Sequence, residues 1–147
     1  MFVTLIVGIL DLETGILKLC NAGHNPPILI YPDGQVSYLE FKTQIFVGVV
    51  EDFKYSDEEV VLEKESKLFL YTDGVTEAEN INKELYGEEK LLEMLSDNAS
   101  SDVRTTVNVV VDSIASHVKE AEASDDLTIL LIPVSYTHLR AHETCAD

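Results

Sequence analysis

The sequence has no tryptophan, only two cysteines and four prolines, and ten basic residues against 27 acidic ones in a chain of 147. Each shortage excludes something. Cys20 and Cys145 lie in unrelated contexts and give neither a disulfide framework nor a metal-ligand spacing, which fits a reducing cytoplasm. The scarcity of lysine and arginine leaves a formal net charge of −17. Nucleic acid is therefore a poor partner, because phosphate backbones are bound by basic patches. The acidic excess reads first as a solvated exterior, and second as a surface that attracts cations or a basic protein. No run reaches the roughly 18 consecutive apolar residues that a membrane-spanning helix needs, and no basic stretch precedes an apolar one at the N-terminus. The expectation is a soluble cytoplasmic chain without a membrane segment. The sequon Asn98-Ala-Ser100 matters only in a secreted protein and is set aside.

What is present is a globular composition, 46% apolar and 25% charged, with room for one domain of ordinary size. The first part is strand-rich. Apolar runs at 2–10, 16–21, 27–31, 36–39, 45–49, 59–63 and 67–72 are separated by Glu-Thr-Gly, Asn-Ala-Gly-His-Asn-Pro-Pro and Pro-Asp-Gly, all with turn chemistry. This pattern predicts an antiparallel meander. Lys64-Glu-Ser66 has the length of a hairpin connection between the last two runs. After Gly87 the period changes. Leu91, Leu92 and Leu95 mark a short helix, and Val103, Val107, Val110, Val111, Ile114 and Val118 follow the 3.6-residue period of a longer one that starts near Ser101 with Asp102 in its first turn. A final apolar strand lies within 123–132. Strands, then helices, then a closing strand predict an α+β sandwich with helices on a sheet face.

Both ends have unusual character. MFVTLIVGIL is apolar from its first residue, whereas domains seldom open on their most apolar strand with no lead-in. The expectation is that a front part of the domain precedes Met1. The segment 134–147 has no period of either kind, and it resembles SYTHLRAHET, the peptide read when a sequencing adapter is translated in frame. It is set apart from the fold as a non-native tail, leaving 1–133 as the domain and the charge from Ser135 onward removed still at −16. The His138/His142 pair, at the i, i+4 spacing of a metal site, falls in that tail.

The chemistry-bearing residues are carboxylates. LFLYTDGVTEA runs four apolar or aromatic residues into Asp73, and Asp125-Asp126 opens the closing strand. If these strands are antiparallel neighbours, both carboxylates emerge at one sheet edge. Like charges so placed are relieved by a raised pKa or by a cation, and hard divalent cations such as Mg²⁺ and Mn²⁺ take oxygen ligands. Spacing alone leaves the alternative open, because Asp-Gly is also an ordinary turn and Asp-Asp an ordinary loop. His24, alone in its loop, reads as a structural or solvated residue ahead of a catalytic one. No Gly-rich phosphate loop, Ser-His-Asp order or Cys-His pair supports another chemistry.

MFVTLIVGILDLETG, CNAGHNPPILIYPDG, LFLYTDGVTEAEN and SDDLTILLI, in that order, resemble the metal-dependent PPM-type protein serine/threonine phosphatases, in the bacterial branch typified by stage II sporulation protein E and the sigma-factor regulator phosphatases. The resemblance covers residues 1 to about 133. It implies two antiparallel sheets packed face to face and flanked by helices, here lacking the N-terminal strands, with two Mn²⁺ or Mg²⁺ ions at one end. By the same resemblance Asp73 and Asp125 are metal ligands, Asp126 and Thr128 support the closing loop, and Gly74 lets the backbone pass close to the ion. Asn21 and His24 belong to a motif that shapes the neighbourhood of the site. Two metals would activate a bridging water and hold the phosphoryl oxygens for in-line attack on phosphoserine or phosphothreonine. The implied substrate is a phosphorylated regulatory protein, of the anti-anti-sigma-factor kind, and an upstream sensor domain is possible.

The chain departs from the pattern in two places. The earlier Gly-Asp motif, which supplies the Asp bridging both metals, is absent, so a truncated fragment with little turnover of its own is expected. Gln44-Ile-Phe-Val-Gly48 stands where relatives have a Pro-Leu-Gly turn. Two other readings are a non-catalytic PPM-fold module that docks a protein without metal, and a gene-calling artefact with no independent function.

Overall fold

The computed structural model describes residues 1–122 and 125–135. In chain order the elements are β1 (Leu5–Leu10), β2 (Ile16–Ala22), β3 (Ile28–Ile30), β4 (Val36–Tyr38), β5 (Thr43–Gln44), β6 (Glu58–Val61), β7 (Lys67–Tyr71), α1 (Glu88–Asp97), α2 (Val103–Val118) and β8 (Ile129–Pro133). They form two compact units, each with its own sheet. Two largely antiparallel sheets and two helices make the α+β class expected from the sequence.

The first unit holds Met1–His24 and Glu40–Ser66, joined among the described residues by Val134 and Ser135. β1 and β2 are a hairpin in register from Leu10↔Leu17 to Leu5↔Ala22. Its turn follows from Asp11, whose carboxylate accepts from the Glu13 and Thr14 amides at 2.8 and 3.3 Å, and from Gly15, which closes it at φ +72°. Those bonds stabilise the ionised form and hold the Asp11 carboxyl below its ordinary range. On the other edge of β2 lie β6, antiparallel, and β5, a short parallel pair beside Asn21 and Ala22. Strand alternation buries Leu17, Leu19 and Asn21 while Lys18 points out to pair with Glu59 at 3.0 Å.

The second unit holds Asn25–Leu39 and Lys67–Pro133. Its sheet runs β4-β3-β7-β8, antiparallel throughout. Ile28, Ile30, Phe69, Tyr71 and Leu131 present one buried face to Leu91 and Leu95 of α1 and Val110 and Ile114 of α2. Leu91 and Leu95 are fully buried, each stabilising the fold by about 1.5–3 kcal/mol. Asp102 caps α2, accepting from the Thr105 amide at 2.7 Å, and so stands just before the first turn rather than in it. The Lys67 ammonium closes the α1–α2 connection by donating to the Ala99 and Ser101 carbonyls at 2.8 and 2.5 Å, and its burial pulls its pKa down.

Four expectations are corrected. The run 45–49 is not a strand: β5 ends at Gln44, and Val47 meets Val3 through a single bridge. Gly48 at φ +92° turns the chain there, and the Phe46 ring instead covers Gly23, so closely that a Cβ on Gly23 would lie 1.8 Å from it. The strands flanking Lys64-Glu-Ser66 are not a hairpin, nor is the sheet a single meander. β6 pairs with β2, while β7 pairs with β3 and β8. Glu65 adopts φ +67° and its amide donates to the Val134 carbonyl, which sends the chain from one sheet to the other. The closing strand begins at Ile129, later than the sequence suggests. Among the described residues no helix is long and apolar enough to cross a membrane. The His138/His142 pair and all of 136–147 lie outside the described residues.

Candidate metal centre

β7 and β8 are antiparallel neighbours in register from Lys67↔Pro133 to Tyr71↔Ile129. This is the arrangement on which the carboxylate reading depended, because the C-terminal end of β7 meets the N-terminal end of β8. Past the last ladder pair, Thr72 extends the contact. Its amide donates to the Thr128 carbonyl at 3.1 Å, and its Oγ1 accepts from the Thr128 amide at 3.1 Å.

Beyond Thr72 the chain turns at once. The Val75 amide donates to the Thr72 carbonyl at 3.0 Å, and the Glu77 amide to the Asp73 carbonyl at 2.8 Å. Val75 is fully buried in the core and anchors the turn from below, leaving the Asp73 side chain exposed. Gly74 is buried beneath the closing segment: a Cβ there would stand 2.3 Å from the Asp126 backbone oxygen. Real Cβ atoms do not tolerate such a distance, so the two turns abut only because residue 74 has no side chain.

Asp125 and Asp126 are exposed, and one Asp125 carboxylate oxygen accepts from the Asp126 amide at 2.8 Å. Asp73, Gly74, Asp125, Asp126 and Thr128 are thus brought together on abutting turns of one unit. Asn21 and His24 belong to the other unit, at the end of β2. There the buried Asn21 amide donates to the His24 carbonyl at 2.9 Å, and its oxygen accepts from the His24 amide at 2.8 Å. The Asn side chain therefore holds the shape of the Gly-His turn.

The donor set suits a hard divalent cation in kind, being all oxygen, exposed and carried on turns fixed by backbone bonds. In number it is partial. Among the described residues no group of three or more His, Cys, Asp or Glu side chains could hold a metal ion. The ion pairs formed among them, Lys18–Glu59 and Lys83–Glu79, lie elsewhere. Sequence reasoning missed Thr72, whose hydroxyl ties the two turns; its signal was only its place before Asp-Gly. It also missed Tyr71 and Tyr38, whose hydroxyls are buried without a hydrogen bond of good geometry. Burial pushes both phenols up, so both stay protonated.

Comparison with known proteins bears on these turns. The family model described as stage II sporulation protein E (SpoIIE) matches residues 1–135. Protein IcfG of Synechocystis sp. is 29% identical over 132 residues, covering 90% of this chain and 20% of the relative. Phosphoserine phosphatase RsbP of Bacillus subtilis is 29% identical over 126 residues, covering 85% of this chain and 29% of the relative. The chain thus spans less than a third of either. Among solved structures, the RsbU and RsbW domains of Rv1364c from Mycobacterium tuberculosis superpose with a TM-score of 0.71 at 24% identity, over 90% of this chain and 36% of that one. The phosphatase domain of SpoIIE from Bacillus subtilis gives 0.69 at 15%, over 90% and 57%. At these identities the structures speak for the fold, and the match of the family model over nearly the whole chain speaks for descent: the chain belongs to the stage II sporulation protein E (SpoIIE) family of PPM-type phosphatases.

Proposed function

We propose that this chain carries the C-terminal share of a metal-dependent protein serine/threonine phosphatase site, with Asp73 and Asp125 as ligands of Mn²⁺ or Mg²⁺. The observation that carries the reading is the abutment of the two Asp-bearing turns across Gly74, at the end of the β7–β8 ladder. Asp73 and Asp125 would hold the cation. Thr72 and Thr128 fix the spacing of their turns, Asp126 orients the Asp125 carboxylate through its amide, and Gly74 lets the backbone close in. When bound, divalent cations of this kind activate water and neutralise the phosphoryl oxygens. The chain's own contribution in this reading is ligation and placement.

The substrate class rests on relatives: RsbP and RsbU of Bacillus subtilis are named phosphoserine phosphatases. A phosphorylated regulatory protein of the anti-anti-sigma-factor kind is the corresponding proposal for the substrate, and a cytoplasmic setting for the reaction. Two carboxylates are fewer than two cations need, so turnover is expected to require further ligands from residues outside this chain. The same shortage supports a second reading, a metal-free module of this fold that binds a protein.

The test is phosphate release from a phosphoserine peptide, with and without Mn²⁺, by this chain and by one extended upstream. Mn²⁺-dependent release by the extended chain, lost in Asp73→Asn and in Asp125→Asn, supports the site. Release that survives either change removes that residue as a ligand, and no release from a folded extended chain favours the binding module.

A further inference from the structure

Residues 76–87 form a hairpin that grows directly out of the Asp73 turn. The Gly87 amide donates to the Thr76 carbonyl at 2.9 Å, the Tyr86 amide to the Ala78 carbonyl at 2.8 Å and the Asn80 amide to the Glu84 carbonyl at 3.0 Å, with Glu79 opposite Leu85. Its near end grips Asp73. The Glu77 amide donates to the Asp73 carbonyl at 2.8 Å, and the Thr76 hydroxyl donates to the same oxygen at 3.4 Å. The direction in which Asp73 carries its carboxylate is therefore tied to the position of the hairpin.

A two-stranded hairpin is marginal by itself in water, and the tip of this one holds Lys83 at φ +63°, in the left-handed region that lysine disfavours. Its second strand is pinned to α2. Ser113 and His117 stand one turn apart on one face of that helix. The Tyr86 hydroxyl donates to the Ser113 hydroxyl oxygen at 2.9 Å, and the His117 ring meets the Tyr86 ring edge-on, with centroids 5.6 Å apart. His117 Nε2 lies 2.9 Å from the Glu84 carbonyl oxygen; a carbonyl only accepts, so Nε2 carries the proton. From α1, the Lys90 ammonium lies 5.2 Å above the Tyr86 ring. Tyr86 is itself almost fully buried in the core of the second unit.

We infer that Tyr86 and His117 are positioning residues for Asp73: they latch the hairpin to the C-terminal end of α2, and the hairpin holds the Asp73 turn in the orientation that presents its carboxylate to a cation. The inference rests on the reading of Asp73 as a ligand. Its path is continuous, from His117 through the Glu84 carbonyl, the paired backbone of 76–87 and the Glu77 amide to Asp73. Mg²⁺ in particular demands near-ideal ligand geometry, so a turn that wavers binds such an ion less tightly even with its carboxylate intact.

Two measurements on the 147-residue chain test it. In the metal-free chain, hydrogen exchange at the Glu77 amide is expected to rise about 3–10-fold in His117→Ala, the effect of losing one hydrogen bond. The second is the Mn²⁺ concentration that broadens the Asp73, Gly74 and Val75 amide NMR signals. It should rise severalfold in His117→Ala and in Tyr86→Phe. His117→Gln should restore the wild-type value, because its side-chain amide keeps a donor for the Glu84 carbonyl. Ile30→Val separates positioning from stability: Ile30 is buried opposite Lys67, at the end of the β7 ladder away from Asp73. That change loosens the core, yet should leave the Mn²⁺ concentration unmoved. An unchanged Glu77 rate or an unchanged Mn²⁺ concentration in His117→Ala overturns the inference, as does an equal rise in Ile30→Val. Broadening that survives Asp73→Asn undiminished overturns the ligand reading instead, and the exchange rate then decides whether the latch holds.

Discussion

Gly74 lies under the backbone of Asp126 so closely that the missing Cβ defines the contact, at 2.3 Å from the Asp126 oxygen. Gly74→Ala must push the two turns apart. The expected loss is about 1–3 kcal/mol of stability, the usual cost of forcing atoms into a packed site, read from denaturant unfolding. An unchanged midpoint would mean that the closing turn has slack and that the spacing of Asp73 and Asp125 is not fixed here.

Thr72→Val removes the hydroxyl that accepts from the Thr128 amide while keeping the shape of the side chain. Thr128 is exposed, so water replaces part of the bond, and a loss of about 0.5–1 kcal/mol is expected. Thr72→Ser should restore it. Hydrogen exchange at the Thr128 amide is the sharper measurement, with faster exchange in the valine variant alone.

The Asp102 carboxylate at the start of α2 is held below its ordinary value of 3.8, first by the Thr105 backbone amide and then by the Thr105 side chain. A folded pKa lower than the unfolded one means that the contribution is present above pH 3.8 and lost as pH falls through the folded value. Asp102→Asn keeps a capping oxygen but not the charge. Wild type should melt higher than this variant near neutral pH, and the difference should vanish in acid. A difference that does not change with pH would assign the cap to geometry alone.

Removing residues 136–147 should leave the melting temperature unchanged, whereas stopping after Pro133 should lower it. Val134 is almost fully buried, and its amide and carbonyl bond to Ser66 and Glu65 at 2.8 Å. We propose that the tail is foreign to the fold beyond that point. A fall of several degrees in the longer variant would show that the tail packs.

Periodicity and turn chemistry made much of this molecule legible. The Asp11–Gly15 turn, the apolar runs of β1, β2 and β7, and the valine row of α2 are local signals, each contained within a few residues. Pairing is not local. A three-residue link at Lys64-Glu-Ser66 permits a hairpin, and only the positive φ of Glu65 and its bond to Val134, distant in sequence, decide against one. The neighbourhood of Asp73 and Asp125 could be anticipated because each carboxylate follows or precedes a strongly apolar strand. Thr72 could not, since its role is a bond to a backbone amide 56 residues away. Asn21 was visible as part of a motif, but not as the brace of the His24 turn, because buried side-chain bonds to backbone leave no pattern in the sequence.

The separation between Thr72 and Thr128 also sets an order of events during synthesis. β7, with Asp73 at its end, leaves the ribosome while β8 is still dozens of residues from being made, and both helices must emerge in between. Until then the β7 edge that receives β8 is bare, and the Asp73 turn lacks the neighbour that crosses Gly74. Contacts of this sequence separation form slowly, because the entropy of closing the long loop between them comes before any gain from pairing. The contact across Gly74 therefore cannot form before the closing strand is made, and a nascent chain halted before Thr128 carries Asp73 without the turn that abuts it.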